Sequence, residues 1–271
     1  MDCLIEELER KAKKIRLNIV KMVGPGNTGH FGGSCSIADI TAVLYFHKMK
    51  HDPKNPKWED RDRFLFSKGH AAIAQYAALS ICGYFPEEET LKLKELGSKF
   101  QGHPDLRKTP GIEANTGSLG QGLSISCGIA AGAKLDKKTY RVYCVVGDGE
   151  IAEGQIWEAA MAASVYKLDN LTAILDYNKL QATGTVIERF NTNPLKEKWE
   201  AFGWNVIEID GHDISNIIEA LDNAEKVKGK PTIILAHTVK GKGLKCAENN
   251  AAFHNGALTQ EQYDTACKSL M

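Results

Sequence analysis

Short apolar runs and helix-patterned stretches take turns along this chain from residue 63 to residue 239. The runs at 63–66, 140–146, 171–176, 204–210 and 232–239 have strand length, and turn-forming or polar residues follow each of them. Between them, 71–82, 123–133, 156–163 and 214–226 show Ala-rich or amphipathic helical spacing. Parallel strands need a crossover to reach one another, and the crossover helices end up on the faces of the sheet. The expected fold is therefore α/β, a doubly wound, mostly parallel sheet with helices on both faces. Before the alternation, Leu4, Leu8, Ile15 and Ile19 mark one face of a helix over about 3–22, and a second helix is expected over 39–47. A polar connection at 52–62, a surface helix around 87–96 and an irregular stretch at 183–193 complete the pattern, with a terminal helix capped at Thr259.

Open sheets of this kind bind ligands beyond the carboxyl ends of their strands. The run at 140–146 ends in Gly147-Asp148-Gly149-Glu150, and the run at 171–176 ends in Tyr177-Asn178-Lys179-Leu180. Gly-Asp-Gly alone is more often just a tight turn. A strand-helix-strand unit, however, delivers both loop tips to one sheet edge, so Asp148 and Asn178 can face each other. A carboxylate, an amide oxygen and a main-chain carbonyl make a sparse cage for a bare ion. They suit Mg²⁺ that takes its remaining oxygens from a diphosphate and water.

Histidines recur in the loops: Thr28-Gly29-His30, Ser67-Lys68-Gly69-His70, Gly102-His103-Pro104 and Phe253-His254. The segment Asn115-Thr116-Gly117-Ser118-Leu119-Gly120-Gln121-Gly122 leads into a helix rich in small residues. Its glycines suit either an anion or flat ring against the backbone or simply close helix packing. Lys240-Gly241-Lys242-Gly243 reads as a phosphate nest or a basic turn. Gly211-His212-Asp213 follows the run at 204–210.

Composition narrows the class. With 271 residues, 43% of them hydrophobic, the chain can bury a full core, and one domain with peripheral extensions is expected. Its 34 basic and 34 acidic residues balance, and the basic ones are dispersed, which gives no footprint for nucleic acid or an anionic membrane. Seven scattered cysteines, without a Cys-x-x-Cys pair, fit reduced thiols rather than a disulfide framework or a zinc site. Charges throughout the N-terminal segment leave no signal-peptide core, and a cytoplasmic location is the expectation.

The pairing of Gly147-Asp148-Gly149 with Asn178, thirty positions beyond Asp148, resembles the thiamine diphosphate motif. Taken with the histidine loops, the Thr116 to Gly122 segment and Lys240-Gly241-Lys242-Gly243, all in family order across the chain, it resembles the N-terminal part of transketolase. The resemblance implies a thiamine diphosphate-binding (PP) domain over 1–271, with a C-terminal tail at 244–271. It implies Mg²⁺, for which Ca²⁺ or Mn²⁺ can substitute, held by Asp148, the Asn178 side chain and the Leu180 carbonyl. Cofactor contacts are implied for Gly117, Ser118 and Leu119, for Gly147, Gly149 and Glu150, and for His70, Lys240 and His254, with the Gly149 N–H at the diphosphate. It also implies that His30, His103 and His254 reach towards the sugar and the reacting carbonyl, where imidazoles titrating near neutrality would pass protons both ways. Glu153 and Glu158 coincide with family carboxylates linking the two cofactor sites of a dimer, although an ordinary first-turn Glu explains them as well.

By the same resemblance the reaction moves a two-carbon ketol unit from a ketose, by family default a phosphorylated one of the pentose phosphate pathway, to an aldose. A transketolase continues through a pyrimidine-binding domain that carries the catalytic glutamate and then a C-terminal domain. The expectation is thus one subunit of a split enzyme, completed by a C-terminal partner in an α₂β₂ assembly. Phe31 in place of the family's usual Pro, Phe253 in place of Trp, and Asn255 after His254 bear on the sugar preference rather than on the cofactor. The competing readings are the α subunit of a 2-oxo acid dehydrogenase E1 component, which the His30, His70 and His103 set disfavours, and a deoxyxylulose-phosphate synthase-like enzyme.

Overall fold

The structure is a computed structural model and describes residues 2–271. Five strands form one fully parallel sheet: β1 (Arg63–Phe66), β2 (Val142–Gly147), β3 (Leu171–Tyr177), β4 (Asn205–Asp210) and β5 (Thr232–His237). Their order is β1-β2-β3-β5-β4, so the chain winds outward from β1 and reverses at the last pair. The register sets Phe66 beside Val145, Gly147 beside Asp176 and Tyr177 beside His237, so the strands end close to one line.

Strict alternation divides the side chains of these strands between two cores. Phe64, Tyr143, Val145, Ile174 and Ile234 face one side. There they meet α1 (Asp2–Val23), α2 (Ala38–Val43), α3 (Ala72–Cys82), α7 (Ile214–Lys226) and α8 (Gln260–Leu270). Leu65, Cys144, Val146, Ala173, Leu175 and Leu235 face the other side, against α4 (Gln121–Leu135), α5 (Gly154–Val165) and α6 (Leu195–Ala201). Burial on both faces is why β2, β3 and β5 read as nearly continuous apolar runs.

Three local expectations need correction. Only Glu87–Lys92 is helical in the segment expected as a surface helix, and it is a 3₁₀ stretch. Lys94 and Gly97 adopt positive φ and stop it, and the Thr90 hydroxyl turns back to the Glu87 carbonyl at 2.6 Å. The stretch at 183–193 is not irregular throughout. Gly184–Thr185 pairs antiparallel with Leu180–Gln181, and Thr185 caps the short helix Val186–Phe190 by accepting from the Glu188 N–H. Finally, β2 starts at Val142 rather than Tyr140, because the Arg141 N–H is taken by the Asp62 carboxylate at 2.8 Å.

The segment 244–271 lies against the body of the fold. Gly256–Ala257 pairs with Thr28–Gly29, and Ala266 and Leu270 of α8 are buried where α8 packs on α1. The expected Thr259–Gln262 capping box is present.

Candidate active site

Four strands of the sheet end in loops that wall one cavity of about 320 Å³. From β1 come Lys68 and His70; from β2, Gly147 to Glu150; from β3, Asn178 and Leu180 to Ala182; and from β5, Lys240. His30, Gly33, His103 and His254 close it from loops outside the sheet, with Gly117 and Leu119 from the loop before α4. Gly69 lies flush against that loop. A Cβ there would stand 2.6 Å from the Gly117 nitrogen, so the loops can touch only without a side chain. Gly117 itself, at φ +147°, packs under the His103 ring, where a Cβ would come within 2.7 Å.

The loop tips after β2 and β3 are joined by a hydrogen bond. One Asp148 carboxylate oxygen accepts from the Gly149 N–H at 2.8 Å, and the other accepts from the Lys179 N–H. Lys179 has φ +69°, and this turn lets the backbone fold back over Asp148. The Asn178 Oδ1 accepts from the Leu180 N–H at 3.1 Å, and the Leu180 carbonyl accepts from the Lys240 ammonium at 2.9 Å. Asp148 is 2% exposed, and its partners are backbone N–H groups. Burial, together with the nearby Asp176 carboxylate, pushes its pKa up to about 7. An anionic oxygen so desolvated, beside an amide oxygen and a carbonyl already drawn to one cation, is a set that fits a hard divalent ion.

Beneath these groups lies Asp176, which is fully buried at the end of β3. It accepts from Lys68, from the Ser36 hydroxyl at 2.6 Å, from the Thr238 hydroxyl, and from the Asn178 amide nitrogen at 3.0 Å. Burial raises its pKa, but the Lys68 ammonium and the hydrogen bonds outweigh it, and the carboxyl stays below its usual range. Because Asp176 can only accept, it turns the Asn178 amide so that Oδ1 is the atom left for the cavity side. Lys68 also donates to the Gly33 carbonyl at 2.7 Å.

Three histidines cluster on the rim. The ring centres of His30, His70 and His254 are 5.0 to 5.6 Å apart, and His254 Nδ1 lies 3.1 Å from the Lys240 ammonium. Burial first, and the neighbouring ammonium groups second, depress all three: His30 to about 4, His254 to about 3 and His70 to about 2. The same causes lower Lys240 to about 8. This corrects the expectation of imidazoles titrating near neutrality. In the chain by itself the three rings are neutral at pH 7, and His254 Nδ1 is turned to the Lys240 ammonium.

The depressed values make the fold acid-sensitive. An unfolded chain protonates these rings near the ordinary 6.5 and the folded chain only well below it. Their contribution to stability is complete above about 6.5 and is lost as pH falls towards the folded values. His70→Asn should therefore reduce the pH dependence of unfolding by about 1.4 kcal/mol per pH unit between about pH 6 and pH 3. Urea titrations of the full chain at several pH values check this, and equal slopes for the two proteins would contradict it.

Most of the residues singled out from the sequence converge here, and a few do not. Ser118 is exposed and does not line the cavity. Glu153 and Glu158 lie outside it, exposed at the start and on the outer face of α5. Glu150 reaches the wall but is spent on structure. Its carboxylate accepts from the Ser67 hydroxyl and from the Gly120 and Gly147 N–H groups at 2.5 to 2.9 Å, tying three loops together. The sequence reading missed the Lys68–Asp176 pair. Its signal was a Lys and an Asp at the ends of two strands otherwise apolar, each needing a partner of opposite charge.

The family model described as "Transketolase, thiamine diphosphate binding domain" matches residues 8–270. The chain belongs to the transketolase family. It is similar to the 6-deoxy-6-sulfo-D-fructose transketolase subunit SqwG of Clostridium sp. (strain MSTE9), 46% identical over 97% of this chain and 96% of that protein. It is also similar to an apulose-4-phosphate transketolase subunit of Phocaeicola vulgatus, 43% identical over 98% of this chain and 94% of that one. Among solved structures, the transketolase of Campylobacter jejuni superposes with a TM-score of 0.92 at 37% identity. That match covers 98% of this chain and 43% of the other, so this chain spans less than half of that single-chain transketolase. Membership confirms the expected α/β thiamine diphosphate-binding fold and a transketolase-type enzyme, and it sets aside both competing readings. Among the described residues, no helix of this transketolase-family chain is long and apolar enough to cross a membrane.

Proposed function

We propose that this chain is the thiamine diphosphate- and Mg²⁺-binding subunit of a two-chain transketolase, completed by a C-terminal partner in an α₂β₂ assembly. The two-chain reading is supported by the near-complete coverage of relatives that are themselves named as subunits. The observation that carries the site is the hydrogen bond joining Asp148 to the 178–180 turn, which gathers three oxygens of different kinds at one wall of the cavity.

Asp148, the Asn178 Oδ1 and the Leu180 carbonyl would hold the metal, and the metal would fix the diphosphate. The Gly149 N–H, His70 and His254 would meet the diphosphate oxygens, with Lys68 and Lys240 supplying positive charge to the same cavity. Gly117 and Leu119 would pack beside the pyrimidine. When bound, the cofactor supplies the nucleophilic carbon that accepts the two-carbon unit. His30, His103 and His254 would orient the sugar hydroxyls and give or take a proton at the reacting oxygen. Phosphate charge beside the ammonium groups would offset the second of the two causes that depress these imidazoles, while burial, the first, would remain. Glu153 and Glu158, exposed on α5, would communicate with the second cofactor site across a dimer.

The two relatives are named for a sulfonated deoxyketose and for a sugar phosphate, and both names support a donor ketose that carries an anionic group. Membership of the pentose phosphate pathway and a cytoplasmic location are parts of the same reading. The test is ketol transfer between ketoses and aldoses with the partner chain co-purified. Transfer that requires both chains, thiamine diphosphate and Mg²⁺ supports the proposal, and transfer by the purified single chain or in the presence of a metal chelator sinks it.

A further inference from the structure

We infer that His212 is a positioning residue for Lys240, acting through the backbone of Val239. His212 follows β4 at the sheet edge, in a motif that the cavity does not account for. Its Nδ1 lies 2.6 Å from the Asp39 carboxylate, and its Nε2 accepts from the Val239 N–H at 2.8 Å. Asp39 is buried and paired with Arg16, whose Nε also donates to the Cys35 carbonyl at 3.2 Å. A carboxylate in a guanidinium pair can only accept, so the imidazole proton sits on Nδ1 and the lone pair on Nε2 faces Val239. Only this one neutral tautomer satisfies both neighbours.

The geometry then runs to the cavity in one step along the chain. Val239 precedes Lys240, whose ammonium crosses to the Leu180 carbonyl and His254. The segment is pinned from the other side by the Gly241 N–H on the Gly32 carbonyl at 3.0 Å. Gly32 leaves no slack, since a Cβ there would stand 2.8 Å from the Lys240 Cγ. A Lys side chain has four rotatable bonds, and reaching two acceptors at once depends on where its Cα is held. Without the Nε2 acceptor the Val239 N–H would lose its partner and that hold would be released. The charged and titratable groups around the ring are Asp39 and Arg16 from the opposing helices, Asp210 on the His212 N–H, and the Cys35 thiol behind Arg16.

The inference rests on Lys240 belonging to the site, but its test uses the full chain without cofactor, so it fails or stands independently of the proposed activity. His212→Gln keeps an acceptor at the Nε2 position, whereas His212→Asn keeps a donor towards Asp39 and loses the acceptor. Amide hydrogen exchange by NMR, corrected for intrinsic rates and referenced to α7 amides, reads the Val239 N–H. Acylation of Lys240 relative to the other lysines reads the side chain. His212→Asn should lower Val239 protection at least ~10-fold at neutral pH and speed Lys240 acylation, with α7 unchanged. His212→Gln, which retains the acceptor, should keep Val239 protection within about 3-fold of wild type. Three results would each overturn the inference: wild-type protection in His212→Asn, protection in His212→Gln as low as in His212→Asn, or lost protection at Val239 with unchanged Lys240 acylation.

Discussion

Asp148→Ala should abolish Mg²⁺-dependent retention of thiamine diphosphate. In the proposed set Asp148 contributes the one anionic oxygen, and Asn178 and Leu180 offer only dipoles. Replacing groups that merely orient a metal ligand costs 10- to 100-fold in affinity, so removing the charged ligand itself should cost at least ~100-fold. The same change frees the Lys179 N–H and so unlatches the two loop tips. Asp148→Asn separates these effects, because its amide oxygen can still accept from Lys179 while the charge is gone. Titration of the reconstituted complex with cofactor, with and without Mg²⁺, measures both variants. Cofactor affinity equal to wild type in Asp148→Ala would refute the metal role, and full recovery in Asp148→Asn would mean that the carboxylate serves the fold rather than a cation.

Asp176→Ala is expected to destabilise the chain by about 3–5 kcal/mol, the usual consequence of stranding one partner of a buried ion pair. The Lys68 side chain is only 3% exposed and keeps just the Gly33 carbonyl when the carboxylate is removed. Ser36, Thr238 and the Asn178 amide lose their acceptor as well. The loss should depend on pH. Asp176 is held below the ordinary carboxylate range, so its contribution is present above that range and disappears as pH falls through its folded value. Wild type and variant should thus converge in strong acid. Denaturant unfolding across pH provides the comparison. Lys68→Met combined with Asp176→Leu, which removes both charges at similar volume, should recover much of the loss. A cost below about 1 kcal/mol for Asp176→Ala would show that Lys68 finds another partner.

The architecture was legible because the strands are buried on both faces and so spell themselves out as apolar runs with turn residues behind them. Asp148 and Asn178 were legible because a strand-helix-strand unit fixes which edge each loop reaches. The histidines could be grouped only through the family resemblance, since residues 30, 70 and 254 are brought together by tertiary packing that no local pattern encodes. Asp176 escaped notice because an Asp ending a strand looks like a turn former, and its work is done toward the interior. Glu150 lines the cavity as its place beside a phosphate-type loop suggests, but nothing local in the sequence shows that its oxygens also hold Ser67, Gly120 and Gly147. The 87–96 helix failed on backbone grounds, because its charge pattern suits an exposed helix but Lys94 and Gly97 take left-handed conformations.

The walls of the cavity are drawn from positions as far apart as His30 and His254, which lie near the two ends of the chain. No fragment shorter than 30–254 contains both, so a nascent chain cannot complete the cavity until its last quarter has emerged and docked. A ligand that fills this cavity would touch loops from β1, β2, β3 and β5 together, so its binding free energy would be added to the stability of the completed fold alone.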